Sequence, residues 1–141
     1  MATSRSQIQG YEFDWFAIDA EGRVGHFSTA GEGLVPKVVL EHITETESLT
    51  EELLRLPVTG QASGQLPGNI KDWLEMARRG VYSFDWQHSN GAYRLAATPS
   101  SELQVAGLPE ALRASLSMVK FTTLRFRELT EVWPERECPC E

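Results

Sequence analysis

The residues whose types suit acid–base chemistry are one histidine and two aspartates in the first third of the chain. His26 lies in an apolar run that is typical of a strand, and Asp14 and Asp19 lie in the run before it. If the two runs pair, a carboxylate could orient the imidazole, as in a general base. A packed histidine with one hydrogen bond is the simpler interpretation. We therefore predict no catalytic residue, and His26, Asp14 and Asp19 stay candidates only if a cleft opens beside them.

A repeated pattern, Tyr-x-Phe-Asp-Trp, occurs at 11–15 and again at 82–86. Side chains alternate faces along a strand, so the aromatic residues would share one face while Asp14 and Asp85 point to the other. Two such carboxylates on one surface are the raw material for an acid–base pair or a metal site. Polar residues on the solvent face of two strands explain the pattern equally simply.

Sequence motifs for cofactor, phosphate or metal binding are absent. The chain contains neither GxxxxGK[ST] nor HExxH nor GxSxG, so nothing supports a nucleotide site, a zinc protease or a serine hydrolase. The two cysteines, Cys138 and Cys140, offer two metal ligands at most, while structural zinc needs four. We predict no cofactor and no metal.

The charge of the chain is negative and unevenly distributed. Lys and Arg number 13 against 20 Asp and Glu, a net charge of −7, which repels phosphate backbones and predicts no nucleic-acid binding. One stretch of twelve residues without Lys or Arg carries an acidic run that we predict to bind a basic protein partner. A solvated helix face is the alternative interpretation. The acidic run consists of Glu41, Glu45, Glu47, Glu51 and Glu52.

The hydropathy pattern predicts a cytoplasmic protein. No apolar run approaches the roughly 18 residues of a membrane-spanning helix, so we expect no membrane association. The polar start of the chain lacks the basic and apolar regions of a secretory signal.

The order of predicted elements indicates an α+β fold. It consists of an antiparallel sheet of about five strands, built from two hairpins plus a C-terminal strand, with the helices packed on one face. The hairpins are predicted at 11–29 and 81–97, with turns at 20–22 and Asn90-Gly91. Helices are predicted after Pro36, Asn69 and Pro109, with a break near Thr46, and the last strand at 121–126, extending as far as 132.

These elements predict a single α+β domain at 11–133, between a flexible N-terminal segment at 1–10 and a flexible C-terminal tail at 134–141. Residues 57–68 carry Gly, Pro and Ser without periodicity, which predicts a surface loop or a lid.

The segment from Asp14 to Phe27, DWFAIDAEGRVGHF, resembles the opening of small acidic bacterial proteins, some of the type that act as immunity partners of secreted toxins. The resemblance covers about a tenth of the chain and includes no catalytic motif. It implies a cytosolic protein that binds another protein without catalysis.

Two functional hypotheses follow. The first is a non-catalytic binding domain that engages a basic partner through its acidic surface, as an immunity-type protein would. The alternative is a small-molecule enzyme or ligand-binding protein with a pocket near His26 and the 57–68 loop. A flat acidic face favours the first, and a pocket that converges on His26 favours the second.

Overall fold

The computed structural model describes residues 10–141, so the predicted flexible segment at 1–10 lies, apart from Gly10, outside the described residues. The fold is α+β, with six strands and four helices among these residues. The strands are β1 (Asp14–Ile18), β2 (Val24–Ser28), β3 (Ala62–Gly64), β4 (Tyr82–Gln87), β5 (Ala92–Pro99) and β6 (Glu131–Val132); the helices are α1 (Lys37–Glu41), α2 (Ile43–Leu54), α3 (Lys71–Arg78) and α4 (Glu110–Leu116).

Both predicted hairpins are present. β1 pairs with β2 and β4 pairs with β5, each antiparallel. In the second turn Gly91 has φ 73°, a left-handed conformation that glycine adopts readily, and Asn90 accepts a hydrogen bond from Ala92 N at 3.2 Å. The residues that signalled each turn therefore form it.

The sheet is mixed, so the prediction of a purely antiparallel sheet was wrong. β2 pairs with β4 in parallel, and the strand order is β1-β2-β4-β5-β3. Helices α1 to α3 lie between β2 and β4 in the chain. Such a long crossover returns the chain to the sheet in the same direction, as parallel pairing requires.

Two other strands also differ from the prediction. β3 forms inside the predicted 57–68 loop and pairs with one end of β5. The predicted last strand at 121–126 is replaced by turns, and β6 covers only two residues beside the other end of β5. Phe121 still donates a backbone hydrogen bond to the Ile18 carbonyl at 2.9 Å, so this segment reaches the sheet without extending it.

One face of the sheet carries an aromatic core. Phe27 lies between the rings of Trp15 and Phe84, with centroid separations of 4.3 and 4.9 Å, and all three rings are fully buried. The repeat predicted this face, with one exception. Tyr11 is 56% exposed, because it precedes β1 and strand alternation does not fix the side to which it points.

The opposite face packs against three helices. Phe16, Ile18 and Val24 contact apolar residues of α2, α3 and α4, among them Leu49, Leu53, Met76 and Leu116. Helix α1 is different, because its Val39 and Leu40 join the aromatic core. The prediction that all helices pack on one face thus holds for α2, α3 and α4 only.

Helix α2 is continuous through the predicted break at Thr46. The break occurs earlier, at His42, which separates α1 from α2. Thr46, Leu49 and Leu53 are buried at helical spacing, so burial of this stripe outweighs the low helix propensity of the threonines.

Residues 134–141, for which the sequence predicts a flexible tail, lie against the start of α1. Val35 and Glu141 exchange two backbone hydrogen bonds of 2.9 Å, and Lys37 N donates to the Pro139 carbonyl at 2.9 Å. Pro134 is buried.

Candidate functional site

The strand register gathers five polar side chains on the helix-covered face of the sheet. Asp14 pairs with Ser28, and Ser28 pairs with Asp85 on the next strand. Two residues earlier in β2, and so on the same face, His26 lies between Phe16 of β1 and Ser83 of β4. Directly paired residues point to the same face, so the three central strands carry a polar patch at one end.

Both ring nitrogens of His26 have a polar neighbour. Its Nε2 lies 3.0 Å from Asp14 Oδ2, and its Nδ1 lies 3.1 Å from Ser83 Oγ. The ring stacks on Phe16 with centroids 5.2 Å apart, and the residue is only 2% exposed. These contacts fix the orientation of the imidazole, and Asp14 supplies the carboxylate partner that the sequence proposed.

A cleft of about 650 Å³ opens over this patch. Its walls come from the approach to β1, from β2 and the turn after it, from β4, and from helices α2 and α3. A smaller hollow of about 300 Å³ between α2 and α3 shares His26 and Asp14 with it. The larger cleft is lined by Tyr11, Glu12, Phe13, Asp14, His26, Ser28, Thr29, Ala30, Glu47, Thr50, Asp72, Trp73 and Asp85.

The lining of the cleft is strongly acidic. It contains five carboxylates, and none of the described residues that line it is Lys or Arg. Glu12, Glu47 and Asp72 are exposed, while Asp14 and Asp85 are partly buried. Tyr11 and Trp73 add two aromatic rings to the same cleft. Carboxylates and aromatic faces both attract cations, so the cleft is suited to a positively charged group.

The backbone is strained at the edge of the cleft. Ala30 has φ 51°, a left-handed conformation that costs a residue with a Cβ roughly 1–2 kcal/mol. The Thr29 hydroxyl holds this turn by accepting hydrogen bonds from Phe13 N at 3.3 Å and Gly31 N at 3.2 Å. Strain of this kind concentrates at functional sites.

The environment of Asp14 favours its charged form. Burial alone raises the pKa of this carboxyl, but the charge of His26 and hydrogen bonds from His26, Ser28 and Thr50 together outweigh burial and hold the pKa below its ordinary value. The carboxylate therefore stabilises the fold above the unfolded-state pKa of about 3.9. This contribution is lost as pH falls through the lower, folded-state pKa.

The environment of Asp85 has the opposite effect. Burial is the main cause that raises its pKa, and the negative charges of Glu12 and Asp14 add to it, against weaker attraction by His26 and His88. Charged Asp85 therefore destabilises the folded state at neutral pH, and this cost disappears as pH falls below the raised pKa.

We expect the two aspartates to respond to amide substitution with opposite signs. At pH 7, Asp14→Asn should lower the free energy of unfolding by about 1–2 kcal/mol, because the close contact of the Asp14 carboxylate with buried His26 is lost. Asp85→Asn should raise it by up to about 1 kcal/mol, because partly exposed repulsion is relieved. Urea unfolding at pH 7 and at pH 3 measures both. Equal signs at pH 7 would contradict the assignment, and both differences should shrink at pH 3.

The other candidate residues lie elsewhere. Asp19 is fully buried at the β1–β2 turn, where it accepts three backbone hydrogen bonds, and it does not line the cleft. Of the acidic run, Glu47 lines the cleft, whereas Glu41, Glu45, Glu51 and Glu52 are exposed outside it.

A cleft opens beside His26, but residues 57–68, which the sequence predicted beside a pocket there, do not form its wall. All of 57–68 is described, and none of these residues lines either hollow. Instead α3, through Asp72 and Trp73, forms that wall. The segment 57–68 is engaged elsewhere, because β3 is hydrogen-bonded to β5.

Sequence reasoning missed Ser28 and Ser83, and it did not assign Glu12, Asp72 or Trp73 to a site. A parallel β2–β4 pair would have placed Ser83 beside His26 and Ser28 beside Asp85, because the register is the signal that joins them. The position of α3 over this end of the sheet has no equivalent signal in the sequence.

Within residues 10–141, no group of three or more His, Cys, Asp or Glu side chains is arranged to hold a metal ion. No helix in this part of the chain has the length and apolar character needed to cross a bilayer.

Comparison with known proteins gives no match to a family model, to a curated protein or to a solved structure. The resemblance of residues 14–27 to immunity-type proteins stays a prediction.

Proposed function

We propose that the chain is a non-catalytic binding domain that receives a positively charged group of a basic protein partner in its acidic cleft. The observation that carries this proposal is the cleft itself, about 650 Å³ with five carboxylates in its lining. A lysine or arginine side chain would form ion pairs there, and Tyr11 and Trp73 would provide cation–π contacts.

A protein partner is favoured over a free small cation because the acidic surface continues beyond the cleft. Glu47 lines the cleft from α2, and Glu51 lies one helical turn further along the same side of the helix. Both are exposed. A basic segment of a partner could place one side chain in the cleft and others along α2, as an immunity-type interface with a basic toxin domain would.

We expect a hexalysine peptide to bind, and to bind about tenfold more weakly after Glu12→Gln, Glu47→Gln and Asp72→Asn are combined. Three exposed ion pairs of roughly 0.5 kcal/mol each account for that factor. The matched control combines Glu41→Gln, Glu45→Gln and Glu52→Gln, which removes the same charge from exposed positions outside the cleft. Calorimetric titration at low and high salt measures both, since screening should weaken the interaction.

Equal weakening by the two triple variants would mean that net charge, and not the cleft, attracts the peptide. Absence of binding to the native chain at low salt would remove the proposal. Glu51→Gln provides a third arm, because it should weaken hexalysine but leave single-lysine binding, measured with N-acetyl-lysine amide, unchanged.

A second candidate function is acid–base chemistry on a small molecule in the same cleft. Its support is the arrangement of His26 between Asp14 and Ser83. In addition, the pKa of Asp85 is raised while that of Asp14 is lowered. Carboxylates whose pKa values are pushed apart are typical of acid–base pairs. Equal affinity for N-acetyl-lysine amide and for hexalysine would favour this candidate, because a small ligand uses the cleft alone.

A further inference from the structure

Two thiols lie close together in the segment that packs against the start of α1. Cys138 Sγ and Cys140 Sγ are 3.9 Å apart, and both residues are partly exposed. Two peptide links of 3.8 Å keep their Cα atoms within roughly 7 Å, near the upper end of the range that disulfides span. The two sulfurs can therefore meet without any rearrangement of distant parts of the chain.

We propose that Cys138 and Cys140 form a redox-active dithiol, which closes to an internal disulfide by exchange with a small-molecule disulfide and reopens with a small thiol. Neither cysteine lines the acidic cleft, so this site is independent of the proposed binding function. A disulfide between Cys138 and Cys140 would close a loop with only Pro139 between the two cysteines, and so short a loop strains the bond. Strained disulfides are the readily reduced, labile ones.

Cys138 is the nucleophile of the first step. The hydrogen-bonded contact with Cys140 lowers the pKa of Cys138 and outweighs burial and the charge of Glu137, which act against it. The same contact is the main cause that raises the pKa of Cys140, and burial adds to it. The more acidic thiol is the one that forms thiolate and attacks first.

The exchange balances in two steps. Cys138 thiolate attacks one sulfur of a disulfide RSSR, the S–S bond of RSSR breaks, and RS⁻ leaves and takes up a proton. Cys140 then loses its proton to solvent, and its thiolate attacks Cys138 in the mixed disulfide. The Cys138–Cys140 bond forms and a second RS⁻ leaves and is protonated. The small disulfide is reduced to two thiols by the two electrons that the protein dithiol gives up.

The redox state bears directly on how the C-terminal segment is held. Cys140 forms an isolated bridge with Pro36, between the hydrogen bonds that join Val35 to Glu141 and Lys37 to Pro139. Cys138 packs against the aromatic core. Rotation of both side chains into a disulfide therefore alters contacts at the point where this segment meets α1.

The experiment equilibrates the full reduced chain with graded ratios of oxidised to reduced glutathione, followed by acid quenching and intact mass measurement. The native chain should lose two hydrogen atoms reversibly, without a stable glutathione adduct. Cys138→Ser and Cys140→Ser are the matched controls, and each should form only the mixed disulfide. In the reduced native chain, alkylation should modify Cys138 several-fold faster than Cys140, as read from peptide masses.

Accumulation of a doubly glutathionylated native chain, or of disulfide-linked dimers alone, would overturn the proposal. So would a native chain that stays reduced at every ratio while the single variants form adducts. Near-ultraviolet circular dichroism of each variant establishes that it is folded before its thiols are compared.

Discussion

Replacing Phe27 with Ala should lower the free energy of unfolding by about 3–5 kcal/mol, the range of buried phenylalanine truncations. Phe27 is fully buried and stacks on Trp15 and Phe84. Tyr93, Phe121 and Phe126 contact it edge-on, with centroids 5.4 to 6.1 Å away. These five packed rings cannot readily collapse into the cavity, so we expect the upper part of the range. Urea unfolding followed by tryptophan fluorescence measures the change.

Tyr11→Ala is the matched control for this prediction. Tyr11 begins the same aromatic pattern from which the core was predicted, but it is 56% exposed in the structure. Its truncation should change stability by no more than roughly 0.5 kcal/mol. A loss as large as that of Phe27→Ala would place Tyr11 in the core and contradict the start of β1 at Asp14.

The fold could be predicted from the sequence wherever the information is local. Alternation in 11–19 and 82–86 and the Asn90-Gly91 turn specify the two hairpins, because each depends on neighbours in the chain. The parallel pairing of β2 with β4 depends on how far α1 to α3 carry the chain, which no short pattern encodes. β3 was missed for a similar reason, since its three residues form a strand only because β5 leaves an edge free for them.

The candidate site shows the same division. Asp14 and His26 were identified because they lie on predicted neighbouring strands, and the structure brings them within 3.0 Å. Asp85 joins them only through the parallel pair, and Asp72 only through the packing of α3. Asp19 was a candidate for the same reason as Asp14. It lies instead at the other end of β1, so that strand length separates the two carboxylates.

The pKa of Asp85 is relevant to the proposed binding of a cationic group in the cleft. Its charge opposes folding, since burial and the neighbouring acids Glu12 and Asp14 raise its pKa. A ligand that stabilises the charged form of Asp85 would offset this cost. A cationic group in the cleft would do this, and its binding should lower the pKa of Asp85.

The second large effect concerns Asp19, which joins the β1–β2 turn to the C-terminal part of the chain. Its Oδ1 accepts hydrogen bonds from Glu21 N and Arg23 N, and its Oδ2 accepts one from Phe126 N, each at 2.9 Å. Asp19→Ala should lower the free energy of unfolding by at least about 3 kcal/mol, because hydrogen bonds to a charged group contribute roughly 1.5–3 kcal/mol each. Urea unfolding at pH 7 measures this loss.

Asp19→Asn separates the contribution of the two hydrogen bonds within the turn from that of the hydrogen bond to Phe126 N. An asparagine can keep one oxygen toward the turn and accept from Glu21 N and Arg23 N, but its amide group then meets Phe126 N with a donor against a donor. We expect an intermediate loss of stability. In hydrogen exchange, the Phe126 amide should lose protection while the Glu21 and Arg23 amides keep theirs. If the Phe126 amide stays protected in this variant, the Asp19 carboxylate does not anchor the chain at Phe126. The large effect of Asp19→Ala would then have to come from the turn alone.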